Sequence, residues 1–93
     1  MKFLAITRRR TERFTDAQFG EHLAAETARA RELYAAGVFR ELHSRGDVPG
    51  AVILVEAADA GEAQGAVGSL PFAIHGLMDF EIIPLKPYRG FVG

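Results

Sequence analysis

"VFRELHSRGDVPGAVILVEA", residues 38–57, holds two strands and the turn between them. Residues 51–57 are apolar and rich in β-branched side chains, as strands are. Gly46, Asp47, Pro49 and Gly50 mark a turn. Residues 38–45 then read as the partner strand. Working outward from this hairpin, each side supplies one helix and one further strand. Upstream, Thr15 with Gln18 three residues later forms a capping box, and Phe14 with Phe19 a hydrophobic staple. The helix they open runs to about Ala36, with Gly37 at its C′ position. Before it, residues 2–7 ("KFLAIT") suit a strand, and residues 8–13 ("RRRTER") a charged loop. Downstream, Asp59 and Glu62 make a second capping box. Gly61, Gly65 and Gly68 each weaken that helix by up to about 1 kcal/mol relative to Ala, which keeps it short. Residues 77–85 ("LMDFEIIPL") form the last strand, stopped by Pro84 and Pro87. Residues 86–93 are a tail without periodicity.

The order β-α-β-β-α-β is the ferredoxin-like split βαβ arrangement, with a four-stranded antiparallel sheet and two helices on one face. Residues 1–93 form a single domain, without linker, repeat or low-complexity tract. Alternation along the strands leaves a surplus. Ala51, Ile53 and Val55 point one way and Val52 and Leu54 the other; Phe3 and Ala5 oppose Leu4 and Ile6. Both faces are apolar. A lone chain would expose an apolar patch on the order of several hundred Å², which soluble monomers rarely leave bare. A second copy is expected to cover it, giving a homodimer or a higher oligomer.

Composition narrows the function classes. The 93 residues are 48% apolar and 25% charged, with a net charge of −1. That balance is globular and gives no pull toward nucleic acid or an anionic membrane. No apolar run approaches the roughly 20 residues of a membrane span. "MKFLAITRRR" lacks the pattern of a secretory signal, because its apolar part is short and its basic run comes last. With no cysteine, thiolate chemistry is excluded, and a cytoplasmic protein is the simplest expectation. Three histidines scattered along the chain lack metal-ligand spacing. No glycine-rich phosphate loop follows a strand, so neither metal nor nucleotide cofactor is expected. "TRRRTER" has no interleaved aromatics and reads as solvated loop rather than a nucleic-acid contact.

One residue breaks the pattern. On the first helix Phe19, Leu23, Ala30, Leu33 and Gly37 share a stripe, and Glu26 sits in its middle. A carboxylate in an apolar pocket has a raised pKa and suits general acid–base work. The plainer alternative is a helix-edge carboxylate paired with Arg29. If the carboxylate is there for chemistry, an apolar residue at position 26 should pack at least as well, so Glu26→Leu is expected to leave the melting temperature unchanged or raised. His22, one turn before Glu26, is placed to tune it. His43, Arg45 and Asp47 alternate at the end of the second strand and share one face if the strand persists; they are expected at the mouth of the Glu26 cavity. His75 lies in the loop before the last strand, able to line that mouth. Tyr34 and Phe72 pack and shape the cavity.

Three stretches, "AAETARARELYAAGVFREL", "GAVILVEA" and "SLPF…MDFEIIPL", together resemble the muconolactone isomerase-like family over Phe3 to Leu85. The resemblance implies a dimeric α+β barrel and activity on small unsaturated lactones or other aromatic-derived metabolites. The related YCII-like family shares the layout, but Leu70 stands where that family carries an aspartate. Glu26 matches a glutamate in the family's first helix and Arg40 an arginine. Phe39 stands in place of a tryptophan, Glu41 of a histidine and His43 of a second tryptophan. The pocket wall therefore differs, and the isomerase's own substrate does not carry over. The resulting expectation is a cofactor-free isomerase or cyclase acting on a small hydrophobic oxygenated molecule. Glu26 would be the base, and His43 or Arg45 would stabilise the enolate. His22, Phe39, Asp47, Phe72 and His75 would contact substrate. A non-catalytic binding protein and a cofactor-independent oxygenase of the same barrel group are the alternatives.

Overall fold

The computed structural model describes residues 1–91. β1 (Lys2–Arg9) leads into α1 (Asp16–Ala35), then β2 (Phe39–Ser44), β3 (Ala51–Glu56), α2 (Ala60–Gly68), α3 (Pro71–Ile74) and β4 (Met78–Pro84). The four strands form one antiparallel sheet in the order β2-β3-β1-β4. This is the ferredoxin-like order expected from the sequence.

The ends of α1 are set by local bonds. Thr15 Oγ1 accepts the Gln18 N–H, and the Gln18 side chain accepts the Thr15 N–H at 2.7 Å. Phe14 and Phe19 meet edge to face at 6.3 Å between centroids. At the far end Gly37 takes φ 78°, and the N–H groups of Gly37 and Val38 return to the carbonyls of Tyr34 and Leu33. That pair is the Schellman closure, which favours glycine at its left-handed position. On α2, Asp59 Oδ1 accepts the Glu62 N–H at 2.8 Å. Glu62 reaches back one residue further than a capping box requires, to the N–H of Ala58.

The core lies between the helices and one face of the sheet. Phe3, Ala5, Phe39, Ile53 and Val55 are buried there against Phe19 and Leu33 of α1, Val67 of α2 and Phe72 of α3. The opposite face carries Leu4, Ile6, Val52 and Leu54, all partly exposed, with Ile83 beside them.

Three features depart from the sequence reading. β1 does not stop at Thr7: Arg8 and Arg9 continue it, in register with Asp79 and Met78 of β4. Pro71–Ile74 form an extra single turn of helix, opened by Pro71. β2 carries a register shift between Phe39 and Glu41. In the tail, Arg89–Phe91 make one 3₁₀ turn; residues 92–93 lie outside the described residues.

Candidate functional site

A cavity of about 270 Å³ opens between α1, α3 and the helix-covered face of the sheet. Its walls are mainly apolar, with Phe39, Ile53, Leu70, Phe72 and Met78 among them. Leu23 and Leu42, both partly exposed, stand at its rim. Among the described residues, Glu26 is the one carboxylate in the lining and Arg9 the one arginine.

Glu26 projects from the inward stripe of α1, as its spacing predicts, and is half-buried. Its Oε1 accepts the N–H of Phe72 at 2.8 Å. Phe72 is the second residue of α3, whose N-cap, Leu70, offers no side-chain bond. Glu26 therefore caps, from another helix, a turn that has no cap of its own. Burial pushes the Glu26 carboxyl above its ordinary pKa; the Phe72 N–H and the charge of Arg9 pull the other way. The result is a carboxylate of heightened proton affinity, fixed by one backbone bond, facing an apolar cavity.

Arg9 comes from the alternation Phe3, Ala5, Thr7, Arg9, which β1 keeps because it runs to Arg9. Its guanidinium carbon lies 5.0 Å from the ring centroid of Phe72 and 5.6 Å from that of Phe19. Those rings, themselves edge to face at 5.6 Å, are both buried. Reading residues 8–13 as solvated loop concealed this arginine. The signal that could have found it was the continued two-residue period. Thr7 is buried beside it, and its hydroxyl accepts the Ala51 N–H at 2.9 Å.

Of the other residues expected here, Phe39 and Phe72 line the cavity. Of the hairpin set, His43 alone reaches its mouth. His43 touches the rim, but it pairs in register with Val52, and Glu41 with Leu54, on the open face. Its Nε2 lies 3.2 Å from Glu41 Oε1. The extra residue at the β2 shift reverses the alternation, so Leu42 and Ser44 turn inward instead. Arg45 lies along the open face near Ile6, Arg8 and Glu81, gripping Asp47 through two bonds of 2.9 and 2.7 Å. That arginine holds the Asp47 carboxyl well below the usual range. Arg45 and Asp47 are thus absent from the cavity lining. His75 caps the end of α3 and stacks on His22 at 4.1 Å between centroids, outside the lining. Arg29 does not pair with Glu26: it donates to Ser69 Oγ and bridges Glu32. Tyr34 is exposed and shapes no part of the cavity.

Among the described residues, no cluster of three or more His, Asp or Glu is arranged for a metal ion, and no helix is long and apolar enough to cross a membrane.

The family model of muconolactone delta-isomerase matches residues 1–90. No curated protein matches the chain in sequence. Among solved structures, the fold is similar to that of a muconolactone isomerase, with a TM-score of 0.79 and 17% identity, covering 100% of this chain and 96% of that one. It is also similar to 5-chloro-2-hydroxyhydroquinone dehydrochlorinase from Burkholderia phenoliruptrix AC1100, solved in complex with 2,5-dihydroxybenzoquinone. There the TM-score is 0.74 and the identity 20%, covering 97% of this chain and 98% of that one.

Proposed function

Because the chain belongs to the muconolactone delta-isomerase family, we propose that it is an enzyme moving a proton within a small, monocyclic, oxygenated molecule of aromatic origin, with Glu26 as the base. The observation that carries this reading is the cavity carboxylate itself: inward-facing, half-buried and raised in pKa by that burial. The proton leaves a carbon next to a conjugated carbonyl and passes to Glu26. The electron pair of that C–H bond enters the conjugated system as an enolate. Return of the proton from Glu26 to a different carbon completes an isomerisation with no net change in atoms or electrons. No cofactor is needed for that sequence. A carboxyl with heightened proton affinity is matched to the first step at neutral pH. The volume, about 270 Å³, holds a single substituted ring, given that a cavity of about 150 Å³ accepts benzene.

The two structural neighbours act, by name, on a lactone and on a hydroxyhydroquinone. The test is therefore a panel of unsaturated five-ring lactones, muconolactone included, and hydroxylated quinols. Each is incubated in D₂O without metal or flavin, and deuterium incorporation is followed by NMR. Exchange by wild type and its loss in Glu26→Gln are expected. Exchange that persists at the wild-type rate in Glu26→Gln removes Glu26 as the base. Binding without exchange on any panel member favours a binding protein.

A further inference from the structure

We propose that Arg9, seated on the rings of Phe19 and Phe72, is the residue that grips the charged oxygen of the molecule bound beside Glu26. The inference deepens the proposed function, because it concerns the same cavity and assigns within it the group that selects charged rings over neutral ones.

The neighbours of Arg9 in the chain show what an arginine here ordinarily does. Arg8 is matched to Glu12 and Asp79 through bonds of 2.8 to 3.1 Å, and Arg10 approaches Asp79 at 3.8 Å. Arg9 differs. Among the described residues, its guanidinium has no carboxylate within 4 Å and donates no hydrogen bond to protein. It is only partly exposed, seated against the rings of Phe19 and Phe72. Aromatic contact offsets part of its desolvation and fixes the flat group in place. It leaves the N–H donors without acceptors. A guanidinium presents those donors as a fork that fits two oxygens of one anion.

The cavity's charge points the same way. Glu26 is the one acidic group in the lining, and its oxygen is already engaged by the Phe72 N–H. Glu26 feels the charge of Arg9 but makes no ion pair with it within 4 Å, so the guanidinium's donors stay unmatched. The apolar walls strengthen any attraction between Arg9 and an incoming anion, because little water remains to screen it. The anion's ring would lie among Phe39, Leu70 and Met78, within reach of both Glu26 and Arg9 as co-lining residues.

The test uses benzoate and its neutral isostere benzamide as probes, titrated into the full chain by NMR. Benzoate is expected to bind at least about tenfold more tightly than benzamide, as a charge-assisted pair requires. Arg9→Met keeps the stem that packs on the two rings and should abolish that preference. Arg9→Lys keeps the charge without the fork and should lose only part of it. Benzamide affinity should be unaltered in both. Glu26→Gln should keep benzoate binding while losing deuterium exchange. Should Arg9→Met fail to fold, Arg9→Lys and the wild-type preference still decide. Equal binding of the two probes to wild type, or an undiminished preference in either Arg9 variant, overturns the proposal. An Arg9-dependent benzoate site with no exchange on any substrate leaves the anion site standing and removes the base reading. Glu26-dependent exchange with no charge preference does the reverse.

Discussion

Glu26→Leu sets two energies against each other. Half-burial of the carboxylate costs stability whenever it is ionised, and leucine removes that cost. Opposing it is the Phe72 N–H, bound to Glu26 Oε1 at 2.8 Å on a residue only 2% exposed. With the acceptor gone, that buried donor is left unsatisfied at a cost of about 1–3 kcal/mol. Leucine returns on the order of 1 kcal/mol by covering apolar wall. The balance is a loss of about 1 kcal/mol, or a fall in Tm of about 5 °C at this chain length. This reverses the expectation drawn from the helical stripe alone, which lacked the Phe72 bond. Glu26→Gln retains an acceptor oxygen and should melt within about 3 °C of wild type. The pH dependence has a definite sign. The folded carboxyl's pKa is raised, so between the unfolded and folded values the folded state binds more protons. Wild-type stability contributed by this group is therefore greatest at low pH and falls as pH rises through that window. Glutamine does not titrate. The Tm difference, Gln minus wild type, should grow more positive from the ordinary carboxylate range upward and level off above the raised pKa. The assay is scanning calorimetry on the three proteins at one concentration and several pH values. A leucine variant melting at or above wild type would refute the reasoning. A glutamine variant falling as far as leucine would show that charge, rather than an acceptor in the right place, holds α3.

Other outcomes follow from single features. Gly50→Ala would drive a Cβ into the Thr7 carbonyl oxygen at a positive φ; urea melts should show a loss of more than about 2 kcal/mol. Thr15→Ala removes one side of an intact capping box and should cost about 1 kcal/mol in the same assay. The open sheet face is expected to be covered by a second copy of the chain. Light scattering should give at least twice the chain mass, and Leu54→Glu should yield aggregate or unfolded chain; a stable wild-type monomer would remove that expectation. Arg45→Gln should leave deuterium exchange within about twofold of wild type, since Arg45 lies on the open face with Asp47; a loss of tenfold or more would return it to the site. Exchange itself should rise with pH through the Glu26 pKa, above the ordinary carboxylate range, because the base acts ionised.

What was legible in the sequence had its partners close by. Thr15 and Gln18, Phe14 and Phe19, and Gly37 with the last turn of α1 all bond within a few residues, so spacing alone identified them. Glu26 was legible because a helical period makes one wrong residue conspicuous. Its bond was not, since Phe72 is 46 residues away and a single turn such as α3 has no period to detect. Arg9 was hidden by its neighbours: a run of three arginines looks like surface, although alternate residues of a strand face opposite ways. Arg45 was misplaced for the converse reason: counting by twos from Phe39 puts it inside, and one extra residue in β2 undoes the count, leaving His43 at the rim only.

That extra residue makes the wall of the cavity a matter of pairing. Were Arg40 drawn into the ladder, so that β2 slid by one residue against β3, the side chains that β2 offers to the cavity would be exchanged together for those it offers to the outside. Leucine and serine would give way to a glutamate and a histidine, with α1 untouched. An ordinary substitution changes one contact at a time and each must be tolerated alone. A slip at this point alters a whole edge of the pocket together. Among chains that share this sheet, differences in the pocket would then be sought first in how β2 pairs with β3, and only afterwards in its composition.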